Sequence, residues 1–107
     1  MTEAEDKALK HLKQCLETLL GDRLVRVVLF GSRARGDYSS ESDFDIAILV
    51  RGLTRKLKHE ILDKISEIEF ECLTPFSLLV LSEDEFNHLK RRERRIALDI
   101  EREGVSL

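Results

Sequence analysis

The sequence predicts an α/β domain in which a small β-sheet is covered by helices, in the order helix, strand, strand, helix, strand, helix. Three observations lead there. Residues 24–30, 43–50 and 75–81 are short apolar runs rich in Val, Ile, Leu and Phe, bounded by turn or capping residues, and read as strands. Between and around them, apolar residues recur every three or four positions, as on a helix face. Capping signals mark where those helices begin. The alternation suits a small sheet covered on one side by helices.

The elements follow in order. Thr2 and Glu5 form a capping box ahead of a helix that carries Ala8, Leu9, Leu12, Leu16, Leu19 and Leu20 and ends at Gly21. The first strand covers residues 24–30, and the second covers 43–50 after a loop and a short helical turn. Gly52 marks a turn, and Thr54 caps a helix with Leu57, Ile61, Ile65 and Ile68 on one face. Pro75 opens the third strand. Ser82 and Glu85 form a second capping box, and one last helix is expected to run through Phe86, Leu89, Ile96, Ala97 and Ile100 to Gly104.

The chemistry concentrates in the loop between the first two strands. Gly31 lets the backbone turn tightly and lets a ligand approach closely. Ser32 brings a hydroxyl and can start a short helix whose free N–H groups suit a phosphate. Arg33 and Arg35 add guanidinium groups matched to bidentate phosphate contacts. The second strand opens with Asp43 and Asp45, which alternation places on one face. Two carboxylates two residues apart can bracket a hard cation, and Mg²⁺ takes such a pair together with substrate phosphates and water. A phosphate cradle beside a metal-binding acid pair points to chemistry on a nucleoside triphosphate.

Composition bounds the rest. At 107 residues the chain is expected to be one domain, residues 1–107, with one modest core. Charged residues make up 36% of the chain, but Lys and Arg (18) nearly balance Asp and Glu (21), for a net charge of −3. Bulk charge therefore gives no reason to expect direct nucleic-acid binding. No signal peptide or membrane-length apolar run is visible, so a cytoplasmic setting without membrane contact is expected. Cys15 and Cys72 fall in helical apolar patterns and read as small core residues. His11, His59 and His88 lie on different helices without metal-ligand spacing and read as solvated. The run Lys90-Arg91-Arg92-Glu93-Arg94-Arg95 reads first as a polar helix face balanced by Glu83, Asp84 and Glu85. A second reading makes it a docking patch for RNA or an acidic partner protein. Tyr38 either stacks on a base or covers its loop.

The sub-patterns Gly31-Ser32-Arg33-Ala34-Arg35-Gly36-Asp37 and Ser42-Asp43-Phe44-Asp45 resemble the signature of the nucleotidyltransferase superfamily that includes DNA polymerase β, kanamycin nucleotidyltransferase and poly(A) polymerase. The chain most resembles the small stand-alone branch, the minimal nucleotidyltransferases, and the strand at 75–81 and residues 102–105 extend the likeness. The resemblance implies a polymerase β-like fold with a small mixed sheet. It implies Mg²⁺ on Asp43 and Asp45 as the catalytic acids, and nucleotide binding by Gly31, Ser32, Arg33 and Arg35. It implies transfer of AMP from ATP to a helical HEPN-type ribonuclease toxin, with this chain as the antitoxin, and it leaves homo-oligomerisation open.

Family members usually carry a third carboxylate on the next strand, which here falls at Ser77. That departure supports an alternative in which the chain binds nucleotide and neutralises its partner by docking alone. A third reading, transfer to a small molecule such as an aminoglycoside, usually needs a further substrate domain.

Overall fold

The three strands expected from the apolar runs are joined by a fourth, and together they make one mixed sheet. A computed structural model describes residues 2–39 and 42–107. β1 (Leu24–Phe30), β2 (Phe44–Val50), β3 (Phe76–Ser82) and the two-residue β4 (Val105–Ser106) lie in the order β3-β2-β1-β4. β2 runs antiparallel to β1 and parallel to β3, and β4 is antiparallel to β1. Parallel neighbours need a long crossover. α3 (Arg55–Cys72) provides it between β2 and β3.

α1 (Glu3–Leu20) starts at the Thr2–Glu5 capping box, and Thr54 accepts the Leu57 N–H at the head of α3. Their apolar stripes, Leu9, Leu12 and Leu16 on α1 and Ile61, Ile65 and Ile68 on α3, pack with Phe44, Ile46 and Ile48 of β2 in one core cluster. This is the helix-on-sheet layer that the sequence predicts.

The sheet is covered on both faces, not on one. Val28, Ala47 and Leu49 form a second cluster with Phe86, Ala97 and Ile100. The reason lies in β2, which is apolar on both faces beyond Asp45, as a strand buried on both sides must be. The last helix also departs from expectation. It is two helices, α4 (Glu83–Arg91) and α5 (Arg95–Glu103), broken where Glu93 takes a φ of 52°. The break lets Phe86 and Ile100 face the same side of the sheet.

Gly104 then permits β4. A Cβ there would collide with the Ile100 carbonyl and with Val28, so only glycine lets the chain pass this close to β1. The Leu107 N–H donates to the Val27 carbonyl at 2.9 Å and ties the last residue to the sheet. Among the described residues, no helix is long and apolar enough to cross a membrane.

Candidate active site

Gly31 leaves β1 with a φ of 74° and is followed by a four-residue helix, α2 (Ser32–Arg35). In the sheet Phe30 is paired with Asp45, which brings the glycine against the Asp45 carboxylate. A Cβ at Gly31 would collide with that carboxylate. The turn at Gly31 and the Asp45 carboxylate, separate in sequence, are therefore in direct contact.

The Gly31 carbonyl accepts the N–H groups of Ala34 and Arg35, both at 3.1 Å. The N–H groups of Ser32 and Arg33 open the helix and have no intrahelical partner, so they are the ones a ligand oxygen can take. Arg35 is exposed and donates to Asp37 at 3.2 Å and to Glu103 at 3.0 Å, which raise its pKa. It also lies close enough to Asp45 to favour the ionised carboxylate.

Asp43 is exposed just ahead of β2, and Asp45 is half-buried on it. Burial pushes the Asp45 carboxyl above its ordinary pKa. The Ser77 hydroxyl acts against this shift, and the nearby Asp43 charge adds to it. Ser77 is the register partner of Asp45 on β3 and is exposed. Among the described residues no third His, Cys, Asp or Glu gathers with the two acids at metal-ligating distance.

Arg33 is used differently from its neighbour. Its side chain is only 4% exposed and donates to the Ser42 carbonyl through Nε (3.1 Å) and an Nη (2.9 Å). It also pairs with Glu5 at 3.1 Å and lies over the rings of Tyr38 and Phe44 at 4.2 and 4.3 Å. The Arg33 guanidinium, expected near a phosphate, is turned into the fold, where it holds the residue before Asp43. Tyr38 thus lies with its ring against the Arg33 guanidinium. Ser40 and Glu41, in the loop between α2 and β2, lie outside the described residues.

Two acids reach this site that the motif spacing does not place there. Glu5 and Glu103 come from α1 and α5, and neither stands at a motif spacing from its arginine. His11 lies elsewhere, 3.8 Å from Glu71 and from the Cys15 sulfur, while Cys15 and Cys72 are free and half-buried.

Comparison with known proteins bears on this geometry. The family described as "Nucleotidyltransferase domain" matches residues 9–103. Two Methanocaldococcus jannaschii proteins are similar to the chain. "Putative protein adenylyltransferase MJ0141" is 51% identical over 55 residues, covering 50% of this chain and 56% of that protein. "Putative protein adenylyltransferase MJ0604" is 47% identical over 45 residues, covering 42% and 45%. The chain thus spans about half the length of the curated relatives it matches. A crystal structure of "a putative nucleotidyltransferase from Sulfolobus solfataricus" superposes with a TM-score of 0.55 at 22% identity, over 99% of this chain and 86% of that one. At that identity the likeness speaks for the fold.

Proposed function

Because the chain belongs to the nucleotidyltransferase domain family, we propose that the site formed by Gly31, Asp43 and Asp45 transfers AMP from ATP to a hydroxyl group on another protein. The observation that carries this reading is the packing of Gly31 against the Asp45 carboxylate. A turn able to cradle phosphates touches one of two acids able to hold a cation.

The residues fit Mg²⁺. Asp43 and Asp45 offer only oxygen donors, and the repulsion between them is what a cation would relieve. Asp43 and Asp45 would hold the ion, which when bound neutralises charge on the phosphates and eases ionisation of the attacking hydroxyl. Gly31 and the first turn of α2 receive the triphosphate, through the Ser32 and Arg33 N–H groups and the Ser32 hydroxyl. Arg35 exchanges Asp37 or Glu103 for a phosphate oxygen. Arg33 acts from behind by fixing Ser42 and so the approach to Asp43. The acceptor oxygen then bonds to the α-phosphorus and the bond to the bridging oxygen breaks. Pyrophosphate leaves and the acceptor proton passes to solvent.

The acceptor in this proposal is a helical HEPN-type ribonuclease toxin, silenced by AMP, with this chain as a single-domain cytoplasmic antitoxin. The description of the two archaeal relatives as protein adenylyltransferases supports a protein acceptor. The HEPN partner is supported by the resemblance of the Gly31–Asp45 motif to minimal nucleotidyltransferases. One observation favours a second reading, neutralisation by docking alone: Ser77 stands beside Asp45 where a third acid would complete the set.

The test is incubation with ATP labelled at the α-phosphate and Mg²⁺, with and without the product of the adjacent gene. Label transferred to that protein, and lost in Asp43→Asn/Asp45→Asn, is expected. Tight complex formation with ATP bound but no label transferred would replace transfer by docking. Absence of ATP binding would end both.

A further inference from the structure

The basic run at residues 90–95 becomes the corner between α4 and α5, and two of the three acids expected to balance it are occupied elsewhere. Glu83 pairs with Arg51 at 3.4 Å, and Glu85 closes the capping box on Ser82. Lys90 reaches Glu101 at 3.7 Å, and Arg95, with a side chain 94% exposed, comes only to 3.8 Å from Asp99. Arg91, Arg92 and Arg94 are exposed and make no ion pair among the described residues.

Local preferences are set aside at this corner. α5 starts with Arg94 at its N-cap without a side-chain cap, Arg95 follows, and the first turn has no acid. Serine, threonine or an acid is favoured there, and a cation opposes the positive end of the helix. Glu93 adopts a left-handed φ of 52°, a costly conformation for a side chain of its size. Ile96, 38% exposed, sits among the arginines.

We propose that this corner is a docking surface for an acidic patch on a partner protein, with Ile96 as its apolar anchor. Arginine around an apolar contact is a common composition of protein interfaces, and carboxylates brought to these guanidiniums form charge-assisted hydrogen bonds. A protein fits better than a nucleic acid. The chain as a whole is negative, at −3, so its field does not favour a long polyanion. The patch also lacks a stacking platform, since the nearby Phe86 is only 3% exposed. The proposal is independent of the chemistry at Gly31 and Asp45.

The experiment uses two labelled probes, an acidic peptide built of glutamate and leucine and a mixed-sequence single-stranded RNA, with fluorescence anisotropy as the readout. Arg91→Glu/Arg92→Glu/Arg94→Glu should weaken peptide binding about tenfold or more, because rim charges of one sign are replaced by the other. Arg55→Glu/Lys56→Glu/Lys58→Glu makes the same charge change on α3 and should leave peptide affinity nearly as in the parent. Ile96→Ser should also weaken peptide binding. Circular dichroism and melting establish that each variant is folded. The proposal is overturned if both triple variants lose affinity equally, if Ile96→Ser has no effect, if the peptide does not bind, or if the corner proves to serve RNA in preference to the peptide.

Discussion

The Arg33 guanidinium donates two hydrogen bonds, at 3.1 and 2.9 Å, to the carbonyl of Ser42, the residue before Asp43. Through its pairing with Glu5 the same side chain ties the start of α1 to the acid-bearing loop. Arg33→Ala should therefore cost stability, by about 2 kcal/mol, since it removes the charged hydrogen bonds to Ser42 and the ion pair with Glu5, which keeps its capping bond from the Thr2 N–H. Urea unfolding measures this. An unchanged midpoint together with weakened ATP binding would instead make Arg33 a direct phosphate ligand.

Gly31→Ala should abolish the approach between the phosphate turn and the acids. The added methyl meets the Asp45 carboxylate, and the positive φ disfavours any side chain. Stability should fall by about 1 kcal/mol or more, while calorimetry should find no Mg²⁺-dependent ATP binding. A variant that binds ATP as the parent does would separate the nucleotide from this turn.

Asp45 makes the metal-free protein pH-sensitive. Burial raises its pKa above the ordinary 3.8, so the folded chain keeps that proton to higher pH than the unfolded chain does. Stability from this group is thus lost as pH rises from 3.8 through the folded value. With chelator present, Asp45→Asn should melt higher than the parent at neutral pH. The gain should vanish below 3.8, where the parent carboxyl is protonated in both states. A lower melting temperature at neutral pH would show that the ionised carboxylate is stabilised by its surroundings.

Ser77→Asp should place a third carboxylate beside Asp45, because the two residues are register partners on parallel strands and Ser77 is exposed. Without metal the added like charge should lower the melting temperature. With Mg²⁺ the order should reverse, and cation affinity, read by calorimetry, should rise. Failure of Mg²⁺ to restore the melting temperature would show that position 77 does not share a cation with Asp45.

Much was legible from the chain alone, for local reasons. Short apolar runs bounded by turn or capping residues predicted β1, β2 and β3 to within a residue. The capping boxes at Thr2 and Ser82 were readable because their hydrogen bonds span only three residues. The order Gly-Ser, then Asp-x-Asp, was enough to suggest a phosphate turn next to a cation pair. The break at Glu93 was not legible, because residues 83–103 carry an acceptable helical pattern throughout and only the demand to cover a second face of the sheet splits it.

What the sequence by itself determined was the set of elements and the chemical types brought to the site. Only the tertiary structure decided how neighbouring residues divide the work. Arg33 and Arg35 are two positions apart and chemically identical, yet α2 turns one inward to Glu5 and Ser42 and the other outward to Asp37 and Glu103. The Glu5 and Glu103 carboxylates come from α1 and α5, and no local periodicity encodes contacts across that much chain. They exist because both helices must pack against the same sheet, whose pairing of Phe30 with Asp45 sets where the turn meets the acids.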